Sequence, residues 1–281
     1  NGEILPIDDT VAADENLIIQ FALFPNAAYD YFDAKQDEEI LRAMREWKVV
    51  AGEFWFWGYD IAFNNYFGFY DSFKNIEANV KGFKNYGISY LCIQGSNDSR
   101  KSWQCNIRAY AYRQLMNGSK LTANRLMDEY IDGYYSVAAE SVKKVISIFS
   151  ENYAELLNNG KDVRFTTFGN FTDGENNPYD MLLKAVKTIE DGEAAVRAKY
   201  ECNEREVYLK RLAAVKTTPL ELMYLNYYYY FPCGDEESRA KVREEFVSTA
   251  RFAEIDRARE RYTIDSFVEF TESEVKIPCV K

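Results

Sequence analysis

Residues 52–60, Gly-Glu-Phe-Trp-Phe-Trp-Gly-Tyr-Asp, constrain the fold of this chain more than any other segment, and two of its four tryptophans lie there. Aromatic side chains at this density, bounded by Gly52 and the polar pair Asn64-Asn65, favour a strand over a helix. At a period of two, Glu53, Trp55, Trp57 and Tyr59 share one face, and Phe54, Phe56, Gly58 and Asp60 the other. Both faces are apolar over most of their length, as in a strand covered on both sides within a parallel sheet or barrel. The polar groups gather at the C-terminal end.

The flanking segments extend this into a β-α alternation. Residues 16–24 form an apolar run stopped by Pro25, and 37–47 then place Ile40, Leu41, Met44 and Trp47 at helical spacing. After the aromatic strand and a loop over 64–71, a helix is expected over about 72–85, with Phe73, Ile76, Val80 and Phe83 on one face. A third strand follows at 88–94. Such alternation implies parallel strands with right-handed crossovers, an α/β fold. Three β-α units do not close a barrel and leave two sheet edges open. The expectation is therefore the C-terminal part of a TIM-type β/α barrel. Its remainder would lie upstream, so the chain would pack on a missing N-terminal domain or self-associate.

Further along, a helix is expected to begin near Trp103, and a longer helical region to run over 122–158 with an interruption near Gly133. Residues 160–178 form a polar Gly/Asn/Thr-rich connection. Three amphipathic helices are then expected over 179–200, 205–230 and 236–262, with Pro219 interrupting the second unless it sits at a helix start or a kink. Residues 264–281 read as a short strand or a tail. This divides the chain into a barrel-like part, 1–160, and a mainly helical part, 161–281. The tyrosine run 227–230 is expected to pack between helices, and Arg257 to Arg261 to form a solvated helix face.

Composition narrows the function. The 281 residues can bury one large core or two modest ones, and a formal charge of −11, from 34 basic and 45 acidic residues, speaks against nucleic acid as a partner. No apolar run reaches the roughly 18 residues of a membrane span. The chain opens without Met or a signal-peptide core, as a mature, trimmed or excised piece would. Cysteines at 92, 105, 202, 233 and 279 form no CxxC pair, their odd number leaves one thiol unpaired within the chain, and they read as mostly buried and reduced. Histidine is absent, which excludes Ser-His-Asp and Cys-His engines and removes the commonest zinc ligand. No cofactor is expected, and acid-base work falls to carboxylates, Tyr, Lys or Cys.

In a β/α barrel the functional face lies at the C-terminal strand ends. These carry Asn26, Tyr29, Asp30, Tyr31 and Asp33 after the first strand, Trp57, Tyr59, Asp60, Asn64 and Asn65 after the second, and Gln94, Ser96, Asn97 and Asp98 after the third. Aromatics, amides and carboxylates together suit a carbohydrate, whose C–H faces stack on rings while its hydroxyls take polar partners. Glu53 and Trp55, nearer the strand start, read as structural. Trp57 reads as either core or sugar platform, and Gln94 as facing either a ligand or a neighbouring loop.

Trp57-Gly58-Tyr59, Asn75-Ile76-Glu77-Ala78-Asn79, Tyr86-Gly87-Ile88, Gln94-Gly95, Ile107-Arg108-Ala109-Tyr110 and the segment 126–139, above all Asp-Gly-Tyr-Tyr-x-x-Ala-Ala, resemble the DUF4838 domain family. The resemblance covers about residues 15–160. It implies a bacterial, gut-microbiome setting, polysaccharide degradation, and a barrel like those of family 20 hexosaminidases and α-glucuronidases. It also implies a secreted, periplasmic or cell-surface location. The family's usual Trp-Asp-Tyr stands here with Gly58 for the acid, and the acid often found near Gln94-Gly95 is an amide.

Two functions follow as expectations. One is a glycoside-hydrolase-like domain cleaving glycosidic bonds with paired carboxylates, Asp30 and Asp60 being the catalytic candidates, and Trp57, Tyr59, Asn64, Gln94 and Tyr31 binding the sugar. Such a pair stands roughly 5 to 5.5 Å apart in retaining enzymes and about 6.5 to 9.5 Å apart in inverting ones. The other is a non-catalytic carbohydrate-binding or structural domain on the same scaffold. A third reading is a helical interaction module built on 179–262.

Overall fold

The computed structural model describes residues 5–6, 13–14, 16–23, 28–96, 99, 102–161 and 173–274. Its sheet has three parallel strands, β1 (Ile18–Leu23), β2 (Glu53–Tyr59) and β3 (Ile88–Gln94), in the order β1-β2-β3. The register pairs Gln20 with Trp55 and Trp55 with Tyr90, then Ala22 with Trp57 and Trp57 with Cys92.

Crossover helices α1 (Ala34–Val50) and α2 (Ile76–Tyr86) cover one face of this sheet. Asp33 caps the start of α1 by accepting the Lys35 N–H. Asp37 leaves helical geometry (φ −167°, ψ 93°) and accepts the Ile40 N–H, so it caps the regular part of the helix, whose Leu41 and Met44 are buried. Helix α2 buries Ile76, Val80 and Phe83 and ends at Gly87, whose φ of 70° is the left-handed cap that glycine adopts without strain. Phe21, Leu23, Phe54 and Phe56 meet these helices in the smaller of two cores.

The chain then turns helical: α3 (Trp103–Met116), α4 (Ala123–Tyr135), α5 (Ala139–Asn158), α6 (Tyr179–Lys199), α7 (Cys202–Leu225), α8 (Tyr227–Tyr230), α9 (Glu236–Phe252) and α10 (Ile264–Glu274). A short antiparallel hairpin, β4 (Arg257–Arg259) and β5 (Tyr262–Thr263), joins α9 to α10. The larger core spans Ala62, Phe67 and Phe69 from the loop after β2, α3 to α5, and the later helices as far as Phe267. It therefore includes residues from both sides of residue 160.

Several expectations need correction. No closed barrel forms: among the described residues the sheet stops at three strands, because after α3 the turn at Asn117–Gly118 leads directly into α4. The helical interruption falls at Ser136, not Gly133. Ser136 takes φ 53° and ψ −122°, a conformation costly for a residue with a Cβ, and its hydroxyl lies 2.5 Å from that of Tyr200. The Asp-Gly-Tyr-Tyr-x-x-Ala-Ala segment is thus a helix junction. Its Ala138 packs against Gly192 of α6, where an added Cβ would stand 2.9 Å from the Ser141 hydroxyl. Residues 264–274 are helix, not strand, and 257–259 is a strand, not a helix face. Pro219 lies inside α7, which continues through it. The tyrosine run packs in part as expected: Tyr227 is buried and Tyr230 donates to the Asn177 carbonyl, while Tyr229 remains exposed. Most of the described cysteines are reduced, as expected, but not buried: Cys92 and Cys105 are free and half-buried, Cys202 is free and exposed, and Cys233 is disulfide-bonded.

Candidate functional site

The aromatic strand separates its two faces as its alternation requires. Phe54, Phe56, Gly58 and Asp60 are buried towards the helices, whereas Trp55 is 37% exposed on the other face and its neighbour Tyr90 46%. This second face is open among the described residues. Rings climb β2 along it: Trp55 stacks on Trp57 (6.1 Å, 21°), Trp57 leans on Tyr59 (6.4 Å), and Tyr59 meets Phe63 edge-on (5.4 Å). The Trp57 indole N–H donates to Gln94 Oε1 across to β3 at 2.8 Å. At the strand start the Tyr90 hydroxyl donates to Glu53 at 3.2 Å. Tyr90 is a site neighbour that sequence reasoning passed over, although its parity with Gln94 on β3 placed it on this face.

Of the binding candidates, Trp57, Tyr59 and Gln94 therefore share the open face, and Asn64 is half-buried in the loop just beyond it. Tyr31 does not join them. It is 2% exposed on the helix side, where its hydroxyl donates to the Tyr59 carbonyl and its own N–H to Asn79 Oδ1. Burial holds its phenol well above the usual tyrosine range. The ring lies against Gly58, where a Cβ would approach it to 2.8 Å. Gly58 is thus the residue that lets Tyr31 in.

The two candidate acids are not on the open face. Asp60 lies on the helix side at 4% exposure, and Ser72 donates to its Oδ1. Arg108 from α3 brings Nε to 2.6 Å from its Oδ2, and donates through Nη2 to the Asp60 carbonyl and through Nη1 to that of Tyr70. Burial raises the carboxyl above the usual aspartate range, against the pull of Arg108 and the Ser72 hydrogen bond. Asp30 is half-buried, and one of its oxygens accepts the Phe32 N–H. Tyr29 packs its ring under Lys35. Asn65 is buried and ties the loop to α7 by donating to Glu221 at 3.0 Å. Asn26, Asn97 and Asp98 lie outside the described residues.

Arg108 organises the end of β2, and its sequence signal was a lone arginine among the apolar positions of α3. A cleft of about 440 Å³ opens beside β3, between Leu91 and Ile93 of the strand and Cys105, Ala109 and Met116 of α3. Among the described residues no cluster of acids and cysteines could hold a metal ion, and no helix is long and apolar enough to cross a membrane.

Residues 8–147 match the family model described as a domain of unknown function, DUF4838, which bears out the resemblance over that stretch. No curated protein and no solved structure matches the chain.

Proposed function

From a DUF4838 domain as premise, we propose that this chain binds carbohydrate on the open face of its sheet, at the C-terminal end of β2 and β3, as a glycoside-hydrolase-like scaffold without a catalytic carboxylate pair of its own. The observation that carries this reading is the hydrogen bond from Trp57 to Gln94, which holds an indole beside Tyr59 on a face open to solvent. Rings supply C–H stacking, and the amides of Gln94 and Asn64 supply two-sided hydrogen bonding for hydroxyls. The net charge of −11 favours neutral glycans over polyanionic ones. The disulfide at Cys233 supports an oxidising, exported setting. Calorimetric titration with cellohexaose, xylohexaose and chitohexaose tests the proposal. Binding of at least one, lost in Trp57→Ala, supports it, and no binding of any neutral oligosaccharide rules it out.

One observation favours the second reading, hydrolysis. Asp60 has the raised carboxyl that a general acid needs. Its enclosure by Arg108 and Ser72 weighs against this, and turnover of aryl glycosides by the native chain, abolished in Asp60→Asn, would decide for it.

A further inference from the structure

A cleft of about 380 Å³ lies among the helices, away from the aromatic face, bounded by α3, the last turn of α4, α7 and Glu254 just beyond α9. Its two cations, Lys210 and Arg211, are placed very differently. Lys210 is held between Glu206 at 2.8 Å and Glu254 at 2.7 Å. Arg211 has no ion-pair partner among the described residues. Its guanidinium carbon stands 4.0 Å from the centroid of the Tyr134 ring and 5.1 Å from that of Tyr208, and Nη1 donates to the Tyr134 carbonyl at 2.6 Å. Nε and Nη2 make no hydrogen bond among the described residues, and neither is sealed from solvent. Two further donors of the cleft are in the same condition. Tyr135 is 1% exposed, yet its hydroxyl has no hydrogen-bond partner among the described residues, and burial holds the phenol protonated well above the usual tyrosine range. The side-chain amide of Asn106 on α3 is likewise without a partner there. Trp103, by contrast, donates its indole N–H to Thr218 at 3.2 Å and offers the cleft only its ring.

We propose that this cleft binds a small organic monocarboxylate, its carboxylate forked on Nε and Nη2 of Arg211 and its apolar body set against Trp103, Val207 and Ala214. A guanidinium pairs best with a carboxylate through two parallel N–H bonds. Held over Tyr134 and tied to a carbonyl, Arg211 loses little freedom when it forms them. Asn106 and Tyr135 supply donors for the carboxylate lone pairs left over. The charge selects a monoanion: Arg211 is the one uncompensated cation of the lining, and Glu254, although paired with Lys210, repels a second negative charge. A phosphoryl dianion is therefore a poorer fit, and a neutral molecule would leave the guanidinium unmatched.

The test is calorimetric titration of the full chain with benzoate, cyclohexanecarboxylate and 3-phenylpropionate, each beside its primary amide, and with inorganic phosphate. At least one carboxylate should bind with a dissociation constant of about 1 mM or tighter, and its amide and phosphate at least roughly tenfold more weakly. Arg211→Lys, which keeps the charge but loses the fork, should weaken that carboxylate roughly tenfold. Because Arg211 also holds the end of α4, Asn106→Leu at an exposed position serves as the second variant and should weaken it several-fold with the thermal melt unchanged. Trp57→Ala should leave the affinity as it is, which separates this cleft from the aromatic face. Failure of all three carboxylates to bind would overturn the proposal. So would an amide that binds as tightly as its acid, which would make the cleft an apolar pocket only, or phosphate that binds as tightly, which would make it a general anion site. Affinity unchanged in both Arg211→Lys and Asn106→Leu would place the ligand elsewhere and overturn it as well.

Discussion

Nε of Arg108 lies 2.6 Å from a carboxylate oxygen of Asp60, with the two side chains 1% and 6% exposed, so an ion pair almost free of water joins α3 to the tip of β2. Nε is close to Oδ2 but off hydrogen-bond alignment, and the guanidinium makes its aligned bonds through Nη1 and Nη2 to main-chain carbonyls. The pair thus fixes the course of the chain after the aromatic strand.

Removing one partner strands the other in a low-dielectric site. Arg108→Leu is expected to cost about 3–5 kcal/mol in urea unfolding, and Asp60→Asn less, because the amide still accepts from Ser72. Equal, negligible losses would show that the pair is not structural.

Gly58 gives a sharper steric expectation. An alanine there places its Cβ 2.8 Å from the Tyr31 ring and 3.0 Å from Ile93, which should destabilise by about 1–3 kcal/mol. Gly58→Asp should be worse, since it also buries a charge. A thermal melt of both variants against the native chain measures this.

Glu221 is fully buried in α7, with Oε2 on Asn65 and Oε1 without a partner, and burial pushes its carboxyl up to about 8 from 4.5. The folded state therefore holds this proton more tightly than the unfolded one. The contribution is fully present below about pH 4.5, declines as pH rises, and is lost above about pH 8, a swing on the order of 4 kcal/mol. Glu221→Gln should match the native chain near pH 5 and exceed it in stability at pH 9. Parallel pH–stability curves would remove Glu221 as the cause.

Along the open face, Gln94→Leu should leave the fold intact, at a cost of about 0.5–1.5 kcal/mol for the lost hydrogen bond, while freeing the Trp57 indole. Tryptophan fluorescence should then shift, and affinity for any bound oligosaccharide should fall several-fold. Asp60→Asn should leave that affinity unchanged, because its carboxylate is on the other face.

Reduction of the Cys233 disulfide should lower stability by about 2–4 kcal/mol. Comparing unfolding with and without dithiothreitol checks it, and the Cys233→Ser variant should behave like the reduced chain.

Much of the first half was legible without a structure because its signals are local. The period-two alternation of residues 53–59 separates an aromatic face from a helix-packing face, and Leu41, Met44, Val80 and Phe83 at helical spacing identify what covers the latter. The late helices were legible by the same periodicity, although their ends slipped where the hairpin at 257–263 intervened.

The sequence by itself determined the three parallel β-α units, the helical remainder, the absence of histidine chemistry and the position of Trp57 and Tyr59 on one face of β2, since each follows from composition or from spacing along a single segment. Tertiary structure alone decided that Asp60 is an ion-pair partner for Arg108, that Tyr31 fills the space left by Gly58, that Gln94 reaches Trp57 across the sheet, and that α3 borders a cleft beside the edge of β3. These depend on contacts between residues far apart in the chain, where burial and approach distance, not residue type, set what a carboxylate, a phenol or a strand edge can do.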